Sequence, residues 1–266
     1  MSDFKGVFVI ACLLLSGLSW AADQARIAIV IDDMGYQPGL DRAVLALDYR
    51  VAVAVIPEAP EASEVATLAG RQQRDVLIHL PLAGLGHDNC QPVLTCMGME
   101  WSAVQMHNHL AAAMQRVHGA VGINNHQGSR FTENEQAVRN LVAGIDSLGR
   151  ELGRPLFVLD SRTSPITLLE QKALKAGLAA ARRHVFLDHS NDPADIQKAW
   201  DDLIALARSN GTAIAIGHPR VNTVRFLEQA VPALAGMGIE LVPVSKVARH
   251  DSSRTRNDSD SYSAAP

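Results

Sequence analysis

The sequence predicts an α/β fold, an irregular (β/α) barrel, on three observations. Eight short apolar runs rich in β-branched residues are each followed at once by polar residues. The runs are continuous rather than alternating, the habit of parallel strands buried on both faces. Stretches with helical spacing separate them without a linker-like break, so strand and helix alternate. Six of the eight runs end in acids, histidines or both, and a barrel gathers the C-terminal ends of its strands into one mouth. A doubly wound sheet alternates in the same way. However, no G-x-G-x-x-G follows the first run, and the number of runs suits a barrel of this chain length.

In order, residues 26–31 run into Asp32-Asp33, and a helical pattern follows over 37–47. Residues 49–56 run into Pro57-Glu58, with a helix over 62–72. Residues 76–78 end at His79, followed by Leu80-Pro81. The next helix, 102–117, places Val104, Leu110, Ala111, Met114 and Val117 near helical period. Residues 120–123 run into Asn124-Asn125-His126. A long helix over 134–152 follows, with Thr132 as its N-cap and Glu135 completing a capping box. Residues 156–159 run into Asp160-Ser161-Arg162, with a helix over 166–180. Residues 184–187 run into Asp188-His189, with a helix over 193–209. Residues 212–216 run into Gly217-His218-Pro219, with a helix over 223–237, and the last run, 239–242, meets Pro243.

The 266 residues are 47% apolar and 20% charged, which excludes wholesale disorder. A net charge of −4 supplies no basic excess for phosphate backbones, and 5% aromatics supply no stacking platform, so nucleic acid is not an expected partner. Residues 1–21 read as a secretory signal peptide: Lys5, an apolar stretch over 6–18, and small residues in Ser19-Trp20-Ala21 around a cut after Ala21. The alternative is a retained anchor, although the stretch is shorter than the ~20 residues that span a bilayer. The expected protein is exported, periplasmic or extracellular, with no membrane span once the signal is removed. One barrel domain is expected over 22–249 and a Ser/Asp/Arg-rich tail, too polar to bury a core, over 250–266. Cys90 and Cys96 either close a small disulfide loop or remain thiols.

Of ten histidines, His79, His126, His189 and His218 stand at run ends; the other six read as surface residues. Asp32 and Asp33 offer two carboxylates for two tasks, one holding a cation and one accepting a proton from water. Alternatively they are a helix N-cap and a solvated acid. His79 and His126 each read alone as structural. Joined by Asp33, they make two imidazoles and a carboxylate with open positions, a set that suits Zn²⁺ or a similar ion. Gly128 permits a tight turn that folds Ser129 and Arg130 back toward the site. Pro219 stiffens the exit from His218, an imidazole able to donate a proton near neutral pH. Asp160 and Asp188 either orient imidazoles or cap the following helices. Arg162 either binds a substrate carboxylate or phosphate or pairs with Asp160.

As an ordered set, Ile-Val-Ile-Asp32-Asp33-Met-Gly35, Leu-Ile-His79-Leu-Pro81, Gly-Ile-Asn-Asn125-His126-Gln-Gly-Ser129-Arg130, Leu-Asp160-Ser161-Arg162 and Ile-Gly217-His218-Pro219 resemble the divergent polysaccharide deacetylase family. These are exported bacterial relatives of NodB-type carbohydrate esterases, and the resemblance spans residues 25–248. It implies a distorted (β/α) barrel and a divalent metal, commonly zinc, used to remove acetyl groups from N-acetylated sugars. It further implies Asp32 as base, Asp33 and His126 as metal ligands, and His218 as the acid that protonates the departing amine. Ordinary relatives place two metal-binding histidines four positions apart. Here Arg130 stands four after His126, so His79 is the candidate second imidazole. With the export signal, the resemblance points to a cell-envelope glycan.

Three other readings compete. A non-catalytic envelope protein on the same barrel would bind metal or glycan, and the missing tandem histidine favours it. A two-metal phosphodiesterase would want more carboxylates. A Ser/His/Asp hydrolase is disfavoured, because no G-x-S-x-G elbow is present.

Overall fold

The computed structural model describes residues 24–83 and 96–250. The signal segment, Cys90 and the tail beyond residue 250 lie outside the described residues. Cys96 is disulfide-bonded. No helix among the described residues is long and apolar enough to cross a membrane.

The strands are β1 (Ala25–Met34), β2 (Ala52–Val55), β3 (Val76–Leu82), β4 (Gly122–Gln127), β5 (Phe157–Asp160), β6 (Ala180–Arg182), β7 (Val185–Phe186), β8 (Thr212–Gly217) and β9 (Ile239–Leu241). The helices are α1 (Pro38–Ala46), α2 (Ala62–Arg71), α3 (Ala103–Arg116), α4 (Ser129–Glu133), α5 (Glu135–Glu151), α6 (Leu169–Ala176), α7 (Pro193–Asn210) and α8 (Val221–Ala233). The strands form one parallel sheet in the order β6-β5-β4-β3-β2-β1-β8-β7, with β9 beside the start of β1. The two ends of this order are one stretch of chain. Arg183 N–H donates to Asp160 O on the β5 side, and the next residue, His184, donates to Ile214 O on the β8 side. A single short segment thus joins both edges, and the sheet curls into an irregular (β/α) barrel.

Side-chain alternation along the strands separates two cores. Ile27, Ile29 and Ile31 belong to one buried cluster with helix residues such as Leu110, Leu141, Leu203 and Leu227, the layer between sheet and helices. Ala28, Val30, Ala52, Ala54, Leu77, Phe157, Leu159, Ile214 and Ile216 form a second cluster made almost wholly of strand residues, the barrel interior. Gly122 belongs to that interior, where a Cβ would lie 2.7 Å from the Phe157 ring. Continuing the interior parity upward passes from Ala28 and Val30 to Asp32, from Leu77 to His79, from Leu159 to Ser161 and from Ile216 to His218. The apolar filling of the barrel therefore becomes polar at its C-terminal end by the strand period alone.

Several expected boundaries are corrected. His79 and His126 lie inside β3 and β4 rather than beyond them, because pairing of β3 with β4 continues to Leu82 and Gln127. The helix expected over 166–180 is shorter. Gly177, at φ 90°, ends α6, and Ala180–Arg182 pairs with β5 instead. The alanines there carry no strand signal, so sheet closure overrides propensity. Thr132 is not the N-cap of the long helix. It sits in α4, and Asn134 caps α5 by accepting from Ala137 N–H at 2.9 Å.

Arg74 is the most heavily committed buried charge outside the mouth. It is 4% exposed and donates to the carbonyls of Leu45, Leu47, Asp48 and Val51. Burial holds its guanidinium down at about 10. Arg74→Met would leave those carbonyls unpaired, at a cost of about 3 kcal/mol or more. For a chain of this size the melting temperature should fall by roughly 6–12 °C, which thermal denaturation followed by circular dichroism would read.

Candidate metal centre and its flanking acid–base groups

A backbone irregularity places the two aspartates. Ile31 pairs with Val53 and Met34 with Val55, so Asp32 and Asp33 together face one residue of β2. This is a β-bulge, and Asp33 adopts φ 56°, in the left-handed region. In a regular strand the neighbouring side chains would point to opposite faces. The bulge turns both toward His79: Nε2 lies 3.6 Å from Asp32 Oδ2 and 3.1 Å from Asp33 Oδ1. Gln127 and Arg162, at the ends of β4 and β5, are also left-handed. Strained residues of this kind gather at functional sites.

Three donor atoms converge. His126 Nδ1 lies 3.0 Å from Asp33 Oδ1 and 3.1 Å from His79 Nε2. Asp33, His79 and His126 are the one group among the described residues with metal-ligand chemistry and spacing. A tetrahedral ion ~2.0–2.1 Å from each donor would hold them about 3.3 Å apart, so the triangle fits such an ion with a small expansion. Two imidazoles and one carboxylate leave positions open for water and substrate.

Asn124 sets the orientation of this group. It is fully buried and paired with His79 across β3 and β4. Its Nδ2 donates to Asp32 Oδ1 at 2.8 Å, so its Oδ1 faces His79 Nδ1 at 2.9 Å and accepts a hydrogen bond from the Nδ1–H. Nε2 of His79 is thereby the nitrogen aimed at the cation position. Asn124 was not singled out from sequence, although it lies two residues before His126 and so on the same face of its strand.

The electrostatics match this geometry. Burial would lower the His79 pKa, but the Asp32 and Asp33 carboxylates raise it to about 9. Burial would raise Asp33, but hydrogen bonds from His126 and His79 hold it far below the usual carboxylate range. Asp32, 3% exposed, is raised by burial against the opposing charges of His79 and His218.

On the other side, His218 Nδ1 meets Asp188 Oδ1 at 2.8 Å, and its Nε2 lies 3.8 Å from Asp33 Oδ2. Asp188 Oδ2 accepts from His218 N–H and Thr223 O–H, each at 2.8 Å. Burial would lower His218, but the Asp188 hydrogen bond and charge raise it. Phe186 lies against the His218 ring at 5.1 Å between centroids. Thr223 and Phe186 were also missed, since neither type signals chemistry by itself.

The remaining candidates divide. Asp160 orients no imidazole. It accepts from Arg162 N–H, Thr167 O–H and Glu170 N–H, fixing the loop into α6. Arg162 does not pair with Asp160 through its side chain; its backbone makes that contact. Ser129 is half-buried at the start of α4, after Gly128 at φ 80°. Arg130 is exposed, and no hydrogen bond or ion pair among the described residues ties it to the donor triangle. His189 is exposed and meets Phe186 rather than the cluster. Among the histidines expected at the surface, His107, His109 and His184 are half-buried.

Comparison with known proteins adds the following. The sequence model of a family described as divergent polysaccharide deacetylase matches residues 29–248. An uncharacterized protein of Haemophilus influenzae is 36% identical over 250 residues, 94% of this chain and 85% of that protein. The uncharacterized protein YibQ of Escherichia coli is 38% identical over 223 residues, 84% of this chain and 67% of that protein. The crystal structure of an uncharacterized protein from Agrobacterium tumefaciens superposes with a TM-score of 0.78 at 23% identity, covering 86% of this chain and 91% of that one. It shares the fold.

Proposed function

The chain belongs to the divergent polysaccharide deacetylase family, and from that premise we propose an exported, divalent-metal-dependent hydrolase that removes N-acetyl groups from a cell-envelope polysaccharide. The observation that carries this reading is the convergence of Asp33 Oδ1, His79 Nε2 and His126 Nδ1 within hydrogen-bond distance of one another. Asp32 and the His218–Asp188 pair flank them. Export rests on the N-terminal pattern of residues 1–21.

Asp33, His79 and His126 would hold the ion. A bound divalent ion such as Zn²⁺ supplies Lewis acidity toward the acetamide carbonyl and lowers the pKa of water. The chain's own residues move the protons. Asp32, buried and made more basic by that burial, accepts the proton of the attacking water. Asn124 keeps the carboxylate in place while it does so. His218, whose pKa the Asp188 carboxylate raises, gives its proton to the amine nitrogen as the C–N bond breaks. The products are a free amino sugar and acetic acid, whose own proton goes to solvent as it ionises to acetate, with one proton gained at Asp32 and one lost from His218.

The test is acetate release by the purified protein from N-acetylated oligosaccharides with Zn²⁺, Co²⁺ or Mn²⁺ supplied. Asp32→Asn should lower the rate by about 100-fold or more. A second reading, a non-catalytic metal- or glycan-binding envelope protein, draws on the exposed Arg130 standing where the resemblance expects a second imidazole. Ion binding without acetate release by the unaltered protein would select it, and two ions per chain would favour a phosphodiesterase.

A further inference from the structure

Among the described residues, some arginines elsewhere are neutralised by carboxylates, while Arg74, Arg116 and Arg154 are held by backbone carbonyls. Arg42, Arg50, Arg139, Arg150, Arg182 and Arg249 each face a carboxylate. Three further arginines lie at the mouth. Arg183 donates from Nε to Ser161 O at 2.7 Å and from Nη2 to Arg162 O at 2.9 Å. Its guanidinium lies 4.8 Å over the Phe186 ring, the ring that packs against His218. Arg220 donates from Nη1 to Asp188 O at 2.6 Å. Arg162, held at φ 50°, has no ion pair among the described residues. The nearby Asp160 carboxylate is occupied by the loop groups described above. All three side chains are half-buried.

A guanidinium anchored by carbonyl oxygens is oriented without losing its charge, and its planar fork matches a carboxylate or phosphate. Arg162 and Arg183 are close enough for their charges to repel one another in a partly desolvated rim. Burial, and then the charge of Arg162, hold the Arg183 guanidinium below its usual range. Arg183 is also close enough to Asp32 for their charges to couple. The chain as a whole carries a net −4, so the positive charge here is not part of a general basic excess.

We propose that Arg162, Arg183 and Arg220 form an anion subsite at the rim of the barrel mouth, and that the substrate is an acidic N-acetylated glycan. A carboxylate or phosphate on the sugar neighbouring the acetamido sugar would occupy the subsite. This rests on the deacetylase reading for the acetamide and adds the charge of its neighbour.

The experiment measures Kd by calorimetry in Zn²⁺-containing buffer for N-acetylated oligosaccharides of equal length. One is neutral, one carries a carboxylate on the adjacent sugar and one a phosphate. At low salt an acidic oligosaccharide should bind at least about tenfold more tightly than the neutral one, with the advantage shrinking as salt rises; the tighter of the two identifies the anion. Arg162→Gln should cut the acidic-to-neutral ratio severalfold. Arg183→Lys, which keeps the charge but loses the fork, should cut it without unfolding the protein. Equal affinity for neutral and acidic ligands, or a ratio unchanged in both variants, overturns the subsite. Acetate release without acidic preference removes the subsite and leaves the deacetylase reading. Acidic preference without acetate release does the opposite.

Discussion

His126→Ala is expected to lower divalent-cation affinity by at least about 100-fold, because it removes one of three donors around the ion. His79→Ala should do the same. His189→Ala should leave affinity unchanged, since His189 is exposed and away from the donor triangle. Asn124→Ala should cost roughly 10- to 100-fold, the size of effect seen when an orienting partner of a ligand is lost. His79 also makes the affinity pH-dependent. Without a cation it is protonated up to about 9 despite its burial, through Asp32 and Asp33. An ion must displace that proton, so apparent affinity rises with pH up to that value and falls below it, by as much as tenfold per unit. Uptake at about pH 7 should release close to one proton per ion. Calorimetry in buffers of different ionisation heat counts that proton. An affinity that stays flat from about pH 6 to 8 would remove His79 from the ligand set.

The alternation of strand and helix was legible because parallel strands need continuous apolar runs and helices need a 3.6-residue period. The side chains that converge at the mouth were legible where their type is rare and their position recurs: Asp33, His79, His126 and His218 all follow apolar runs. The bulge at Asp32-Asp33 was not, since no glycine marks it and a left-handed aspartate looks like any other. Asn124 was hidden by its chemistry: an amide has no charge to advertise, and its importance comes from pairing with His79 on the neighbouring strand. Closure of the barrel through residues 180–186 was hidden for a related reason. Ala180-Ala181 reads as helix until β5 supplies a partner. Asp160 and Asp188 stood equal in sequence, each following an apolar run. Only the register of the neighbouring loops assigns the first to a turn and the second to His218.

Asp188→Asn should lower the deacetylation rate at neutral pH by about 100-fold or more and move the alkaline limb of its pH profile toward acid. The reason lies in the donors around Asp188. Its Oδ2 accepts from the His218 backbone N–H, which can only donate. An asparagine must keep its oxygen there, so its NH₂ turns toward His218 Nδ1. Nδ1 then has to be an unprotonated acceptor, and the imidazolium becomes costly. In the unaltered protein burial would lower His218, yet Asp188, with Asp32 and Asp33 adding to it, raises it. A general acid works below its pKa, so activity is lost as pH rises through that raised value. In the variant the loss begins at lower pH, and part of the rate returns on acidification. Thr223→Val leaves the backbone N–H on Oδ2 and should shift the limb much less. An acetyl substrate whose leaving group needs no proton, such as an activated aryl acetate ester, should lose far less rate in Asp188→Asn than a sugar acetamide does. A merely misfolded variant would lose both equally, with the limb unmoved, and that outcome would take His218 out of the role of acid.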